Sequence, residues 1–142
     1  MRTVSQLLDG KGRDIVAIGP AAPVLDAIRM MADRGVGALL VMQAGQLVGI
    51  VSERDYARKV ILKGRSSADT RVEEIMSSEV KTVGPNSRVH GCMKIMTEAR
   101  IRHLPVLEEG VVVGMLSIGD LVKAVIEDQQ LEIDQLQQYI AG

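Results

Sequence analysis

Aromatic side chains are almost missing from this 142-residue chain: it has no Phe, no Trp, and only Tyr56 and Tyr139. Single-stranded nucleic acids are held by stacking bases on aromatic rings, so that role lacks its platform. The charge of one sign that phosphate backbones or anionic membranes require is also missing, since 17 basic residues face 18 acidic ones for a formal net charge of −1. Neither a nucleic-acid nor a membrane partner is expected. Cys92 is the only cysteine, which excludes an intramolecular disulfide and fits a reducing cytoplasm. No apolar run approaches the roughly 20 residues that span a bilayer, and no apolar signal core follows the N-terminal Met-Arg-Thr-Val-Ser-Gln. The expectation is a soluble, cytoplasmic protein.

Signatures of catalysis are missing as well. The chain has no Gly-x-x-x-x-Gly-Lys-Ser/Thr loop, no Gly-x-Gly-x-x-Gly after a strand and no Gly-x-Ser-x-Gly elbow. Its two histidines, His90 and His103, share the chain with one cysteine at no zinc-ligand spacing. No metal site and no enzymatic activity are expected. What is present is an ordinary globular composition, 46% apolar and 25% charged, with eight methionines filling space that rings would otherwise occupy.

The dominant feature is an internal repeat. Shifted by 65 positions, residues 15–61 lie on residues 80–126 without a gap, and 13 of the 47 pairs are identical, where average residue usage gives roughly 3 by chance. Gly19-Pro20 falls on Gly84-Pro85, Met31 on Met96, Val41 on Val106 and Asp55 on Asp120. Upstream the shift grows by two, so that Thr3-Val-Ser-Gln6 matches Thr70-Arg-Val-Glu73. Both have capping-box spacing, predicting short helices near 4–8 and 71–76. Within each copy Val24, Ile28, Met31 and Ala32 fall on one helix face, Pro23 and Gly35 suit its start and end, and runs 38–42 and 47–52 flank Gln43-Ala-Gly-Gln46 as a hairpin. A helix from about Glu53 to Leu62 follows. The second copy repeats this as helix 88–100, strands 103–107 and 111–117, and a helix from near Ile118. The fold expected is α/β (α+β): two β-α-β-β-α repeats packed through their sheets with pseudo-two-fold symmetry. The division expected is 1–65 for the first repeat with its N-terminal helix, 66–127 for the second, and 128–142 as a helical extension. In that extension Val122, Ile126, Gln129, Ile133, Leu136 and Ile140 are spaced 4-3-4-3-4, as in a coiled-coil seam. Either the tail folds back on its own repeat or the seam joins two copies; a homodimer is the expectation.

One heptapeptide recurs at a strand end: Gly49-Ile-Val-Ser-Glu-Arg-Asp55 and Gly114-Met-Leu-Ser-Ile-Gly-Asp120. Ser-x-x-Asp there is either a helix-capping pair or a ligand site, in which the carboxylate takes both hydroxyls of a ribose while the serine and helix amides hold a sugar oxygen or phosphate. The glycines would let the strand approach a ligand closely.

This motif, with a strand-opening Leu-Pro-Val in Arg102-His-Leu-Pro-Val106, resembles the cystathionine-β-synthase-type (CBS) domain, and its double occurrence resembles a CBS pair, or Bateman module, over residues 1–127. The resemblance implies a regulatory, signal-transducing module that binds an adenosine ligand (AMP, ADP, ATP, NAD or S-adenosylmethionine) in clefts between its copies and controls an unidentified partner protein. It implies ribose binding by Asp55 with Ser52 and by Asp120 with Ser117, and adenine lining by Val16, Ala17 and Ile18, by Lys81, Thr82 and Val83, and by Leu104 and Pro105. It implies phosphate contacts from Arg102 and His103, working across copies, with Arg54; Lys11, Arg58 and Lys59 are further basic candidates. Arg102 could equally be a solvated side chain, His103 a satisfied half-buried one, and the stretch from Arg54 to Arg65 a solvated helix face. Because Gly37 and Ala38 stand where the other copy has Arg102 and His103, and Gly119 where it has Arg54, unequal clefts are expected, the one at Asp120 being poorer in charge. With so few rings, adenine is expected to lie between aliphatic side chains, Tyr56 being the one ring nearby. An interaction module without ligand is the alternative.

Overall fold

The computed structural model describes residues 2–141. Their elements in chain order are α1 (Val4–Lys11), β1 (Ala17–Ile18), α2 (Val24–Arg34), β2 (Ala38–Gln43), β3 (Gln46–Ser52), α3 (Glu53–Tyr56), α4 (Val72–Ile75), α5 (Val89–Ala99), β4 (His103–Glu108), β5 (Val111–Ser117) and α6 (Ile118–Ala141). The mixed helix-and-strand class follows the sequence reading. The predicted hairpins form around Ala44-Gly45 and Glu109-Gly110, whose φ angles are all positive, at 52° and 76° and at 51° and 79°. That pair of left-handed residues gives a two-residue turn whose twist matches the strands it joins.

By packing, the chain divides into two units: Ile15–Val80, and the chain through Asp14 joined with the chain from Lys81 onward. We refer to them as the Asp55 unit and the Asp120 unit. The sequence division at residue 65 follows the repeat, whereas packing exchanges the leading helices. Helix α1 sits with the second repeat, and α4 closes the first.

The reason is visible in backbone bonds and burial. Val4 N donates to Ser87 O at 2.8 Å and Ser5 N to Pro85 O at 2.9 Å; Val72 N donates to Ala22 O at 2.8 Å and Glu73 N to Pro20 O at 2.9 Å. The orphan amides of each leading helix are thus met by the Gly-Pro loop of its unit. Val4, Leu7 and Leu8 are buried with Val89, Leu116 and Leu121, while Val72 and Ile75 are buried with Val24, Val51 and Val60.

These bonds correct the predicted capping at residue 70. Thr3 behaves as expected, accepting from Gln6 N while its own N–H donates to the Gln6 side chain. Thr70 instead is buried, and its hydroxyl donates to Ser66 O at 2.6 Å. The capping position passes to Arg71, whose N–H donates to Glu74 Oε2 at 2.6 Å. Val4 therefore corresponds to Val72 and Leu8 to Met76, one residue beyond the expected shift.

Three further differences concern the sheets and helices. In the Asp55 unit the sheet order is β1-β2-β3, with β1 parallel and β3 antiparallel to β2; in the Asp120 unit, among the described residues, the sheet is β4-β5. There the expected first strand is a single parallel bridge, Val83 to Val106. The helix expected through Leu62 is α-helical only to Tyr56 and continues as a π-helical turn over Ala57–Ile61, closed by Leu62 N donating to Ala57 O at 3.0 Å. The widened turn keeps Val60 in the core. Helix α6 runs unbroken for 24 residues, and residues 129–141 are exposed along it, so the fold-back alternative for the tail is set aside.

Candidate functional site

The two heptapeptides fold alike. Ser52 ends β3 in extended conformation and caps α3, because a hydroxyl there satisfies an amide the helix leaves unpaired. Its Oγ accepts from Asp55 N at 3.2 Å, and Asp55 Oδ2 accepts from Ser52 N at 2.9 Å and from Ser52 Oγ at 3.0 Å. In the Asp120 unit Ser117 Oγ accepts from Asp120 N at 3.2 Å and Asp120 Oδ2 accepts from Ser117 N at 2.8 Å. The capping reading is therefore fully realised. Both carboxylates nevertheless stay half-buried rather than packed away, within reach of an incoming hydroxyl.

The glycines of the motif serve another purpose than ligand approach. A Cβ on Gly114 would stand 2.8 and 2.9 Å from the Leu8 methyls; one on Gly49 would stand 2.5 Å from Met76 Sδ and 3.0 Å from Ser77 O. Each glycine is the notch into which the leading helix of its unit fits, and the strand's close neighbour there is protein.

Each carboxylate is paired with a lysine. Lys11 Nζ lies 2.6 Å from Asp120 Oδ2 and donates to Met115 O at 2.5 Å. Lys59 Nζ lies 3.3 Å from Asp55 Oδ1 and donates to Ile75 O at 2.8 Å. Burial pushes the Asp120 carboxyl up, and the Lys11 ammonium and Ser117 N–H together outweigh it, holding the group below its ordinary range.

Arg102 and His103 lie beside the Asp120 turn of their own unit. His103 pairs with Ser117 across β4 and β5, and Ile118 N donates to Arg102 O at 2.8 Å. Ala38 and Gly37 hold these places beside Ser52, with Glu53 N donating to Gly37 O at 3.0 Å. Burial lowers the His103 pKa, Lys11 and Arg102 lower it further, and Asp120 opposes them. The surroundings of Asp120 are thus not poor in charge, as the Gly119 substitution suggested: Lys11 arrives from a helix more than a hundred residues away. Arg54 and Arg58 are exposed on the helix that follows β3. Tyr56 packs against the core of the Asp55 unit.

Of the residues expected to line adenine, Leu40 N donates to Val16 O at 3.1 Å, and Ala17 and Ile18 form the edge strand β1. Alternation along a parallel strand turns the Ala17 backbone groups away from β2, to the unpaired edge. Val83 N donates to Pro105 O at 3.1 Å and its carbonyl accepts from Leu107 N at 2.9 Å, leaving Lys81 and Thr82 exposed. Leu104 is a correction: it is fully buried in the core with Val83 and Leu116, where packing, not a ligand, holds its side chain. Pro105 is buried beside it.

Sequence reasoning placed neither lysine on its carboxylate. The Asp55–Lys59 spacing of four on a helix was a legible signal; Lys11 had none, since its partner is set by packing. No group of three or more His, Cys, Asp or Glu side chains able to hold a metal stands together among the described residues.

A family model described as "CBS domain" matches residues 11–62 and again 72–127. The chain is 46% identical over 124 residues to the mitochondrial CBS domain-containing protein CBSX3 of Arabidopsis thaliana, covering 84% of this chain but 60% of that protein's length. It resembles the solved structure of a putative signal-transduction protein with CBS domains from Burkholderia ambifaria, with 53% identity, a TM-score of 0.87, and coverage of 90% of this chain and 96% of that one. It also resembles the CBS domain protein PAE2072 from Pyrobaculum aerophilum, solved in complex with AMP, at 28% identity and a TM-score of 0.75, covering 84% and 89% of the two chains.

Proposed function

The chain belongs to the CBS-domain family, and from that membership we propose that it is a regulatory module, not an enzyme, that binds an adenine nucleotide at its Ser52–Asp55 and Ser117–Asp120 turns and thereby modulates a partner protein. The observation that carries this reading is the recurrence of one half-buried carboxylate turn, with the same cap and a lysine on the carboxylate, in both units. The AMP held by the Pyrobaculum relative supports the ligand class. In this reading Asp55 and Asp120 take ribose hydroxyls, Ser52 and Ser117 assist, and the open backbone edge at Ala17 and its counterpart Thr82 reads adenine. Arg102, His103 and Arg54 answer phosphate. AMP, ADP, ATP and NAD all fit that chemistry, and the chain works in the cytoplasm as a homodimer joined through the exposed seam of α6.

The completed caps favour a second reading, an interaction module whose Ser-x-x-Asp pairs only start helices. Thermal unfolding with AMP, ADP, ATP, NAD, S-adenosylmethionine and GTP separates the two. A ligand at about 100 times its Kd stabilises the native state by roughly 2.7 kcal/mol, a shift of several degrees at this size. The nucleotide reading expects a shift with adenine ligands that is lost in Asp55→Ala/Asp120→Ala. No shift with any of them leaves the interaction module.

A further inference from the structure

The two lysines on the motif carboxylates are not products of the duplication. Shifted by 65 positions, Lys59 falls on Ala124. Counted on from Leu8 and Met76, Lys11 falls on Glu79. Asp120 draws its ammonium from the helix that precedes β1, Asp55 from the helical turn that follows its own motif. Each lysine is anchored in the same manner, to the carboxylate and to one backbone carbonyl: Met115 O for Lys11 and Ile75 O for Lys59. Two unrelated positions supply one arrangement.

Holding a carbonyl accounts for only part of this. Ile50, the counterpart of Met115, has its carbonyl satisfied by Ser77 N at 2.9 Å, so an edge carbonyl there does not require a lysine. What the two turns share is the neutralised carboxylate.

Such a pair discriminates among ligands. A neutral nucleoside that takes the carboxylate with its hydroxyls replaces an ion pair by hydrogen bonds from uncharged donors and strands an ammonium, which is unfavourable. A nucleotide brings an anion with it, so the displaced ammonium is paired again. Lysine suits the exchange, having three donors on a flexible four-carbon stem, of which the carbonyl and the carboxylate engage two. Resting on the nucleotide reading above, we infer that Lys11 and Lys59 are the residues that make these turns select phosphorylated ligands over nucleosides: each cedes its carboxylate to the ribose and takes up the phosphate.

Calorimetric titration of AMP and of adenosine into the wild type, Lys11→Met/Lys59→Met and Lys11→Arg/Lys59→Arg tests this, with the melting temperature of each protein recorded. The expected result is a preference for AMP of at least about tenfold in the wild type. The Met pair loses it, with adenosine binding unchanged or tightened now that its competitor for the carboxylate is gone; the Arg pair keeps it. Equal weakening of AMP and adenosine in the Met pair, or no change in either, overturns the assignment while the nucleotide reading stands. Should the Met pair not fold, the wild type still decides: adenosine bound as tightly as AMP overturns it. A wild type that binds neither AMP nor adenosine overturns this inference, and the nucleotide reading falls with it if ADP, ATP and NAD also fail to raise the melting temperature.

Discussion

At the scale of single residues, the Asp120 turn gathers charges whose protonation bears on stability. His103 is half-buried, and burial, then Lys11, then Arg102 depress its pKa against the pull of Asp120. For a base with a folded pKa below its unfolded value of about 6.5, the unfolded chain binds the proton more readily. Stability is whole above that value and is lost as pH falls through it toward the folded pKa. Asp120, held low, contributes stability above about 3.9 and loses it only at more acid pH. Between pH 7.5 and 5.5 the loss therefore belongs to His103. The melting temperature should fall across that range in the wild type and fall less in His103→Gln; equal falls would remove His103 as the cause. A half-buried His103 beside Arg102 was one alternative the sequence offered; the second cationic neighbour, Lys11, was not legible in it. Lys11 is brought to Asp120 by the docking of α1, and no local pattern records that contact.

At the scale of elements, the repeat itself revealed which segments are helices and which are strands, because 3.6- and 2-residue periodicities are properties of short windows. It failed where two residue types competed for a role. Thr70 has the right chemistry for a cap, but burial turns its hydroxyl to Ser66 O and gives the cap to Arg71. The motif glycines show the same limit. Read from spacing, they suggested room for a ligand; in the fold they are notches for Leu8 and Met76. Gly114→Ala should cost about 1–3 kcal/mol through overpacking, since Leu8 is fully buried and cannot retreat. Gly49→Ala should cost less, because half-buried Met76 swings its thioether aside and only Ser77 O resists. Urea midpoints at unchanged m-value check the order; a neutral Gly114→Ala would show that α1 does not seat as described.

At the scale of the whole molecule, α6 is the element with most left to do. Val122, Ile126, Ile133, Leu136 and Ile140 remain 42%, 59%, 47%, 61% and 83% exposed on one helix, a stripe that a second copy of the same seam would cover. Light scattering at micromolar concentration should return twice the 15.3 kDa of the chain, and Ile133→Glu/Leu136→Glu should return the chain mass alone. A wild-type monomer would end the dimer proposal. Polar groups on α6 are engaged within the chain: Arg2 pairs with Glu127 and Asp128, and Gln130 donates to Asp134.

The sequence by itself determined the duplication, the two hairpins, the helix faces and the paired Ser-x-x-Asp turns, because each is written in residues close together or repeated at a fixed distance. Only the tertiary structure decided that each leading helix packs with the repeat it does, that the first strand of the second repeat shrinks to one bridge, and that Lys11 closes on Asp120. Those outcomes depend on which buried surfaces fit and on where a flexible cationic side chain finds an anion and a carbonyl together, and neither is a property of any stretch of chain shorter than the unit that folds around it.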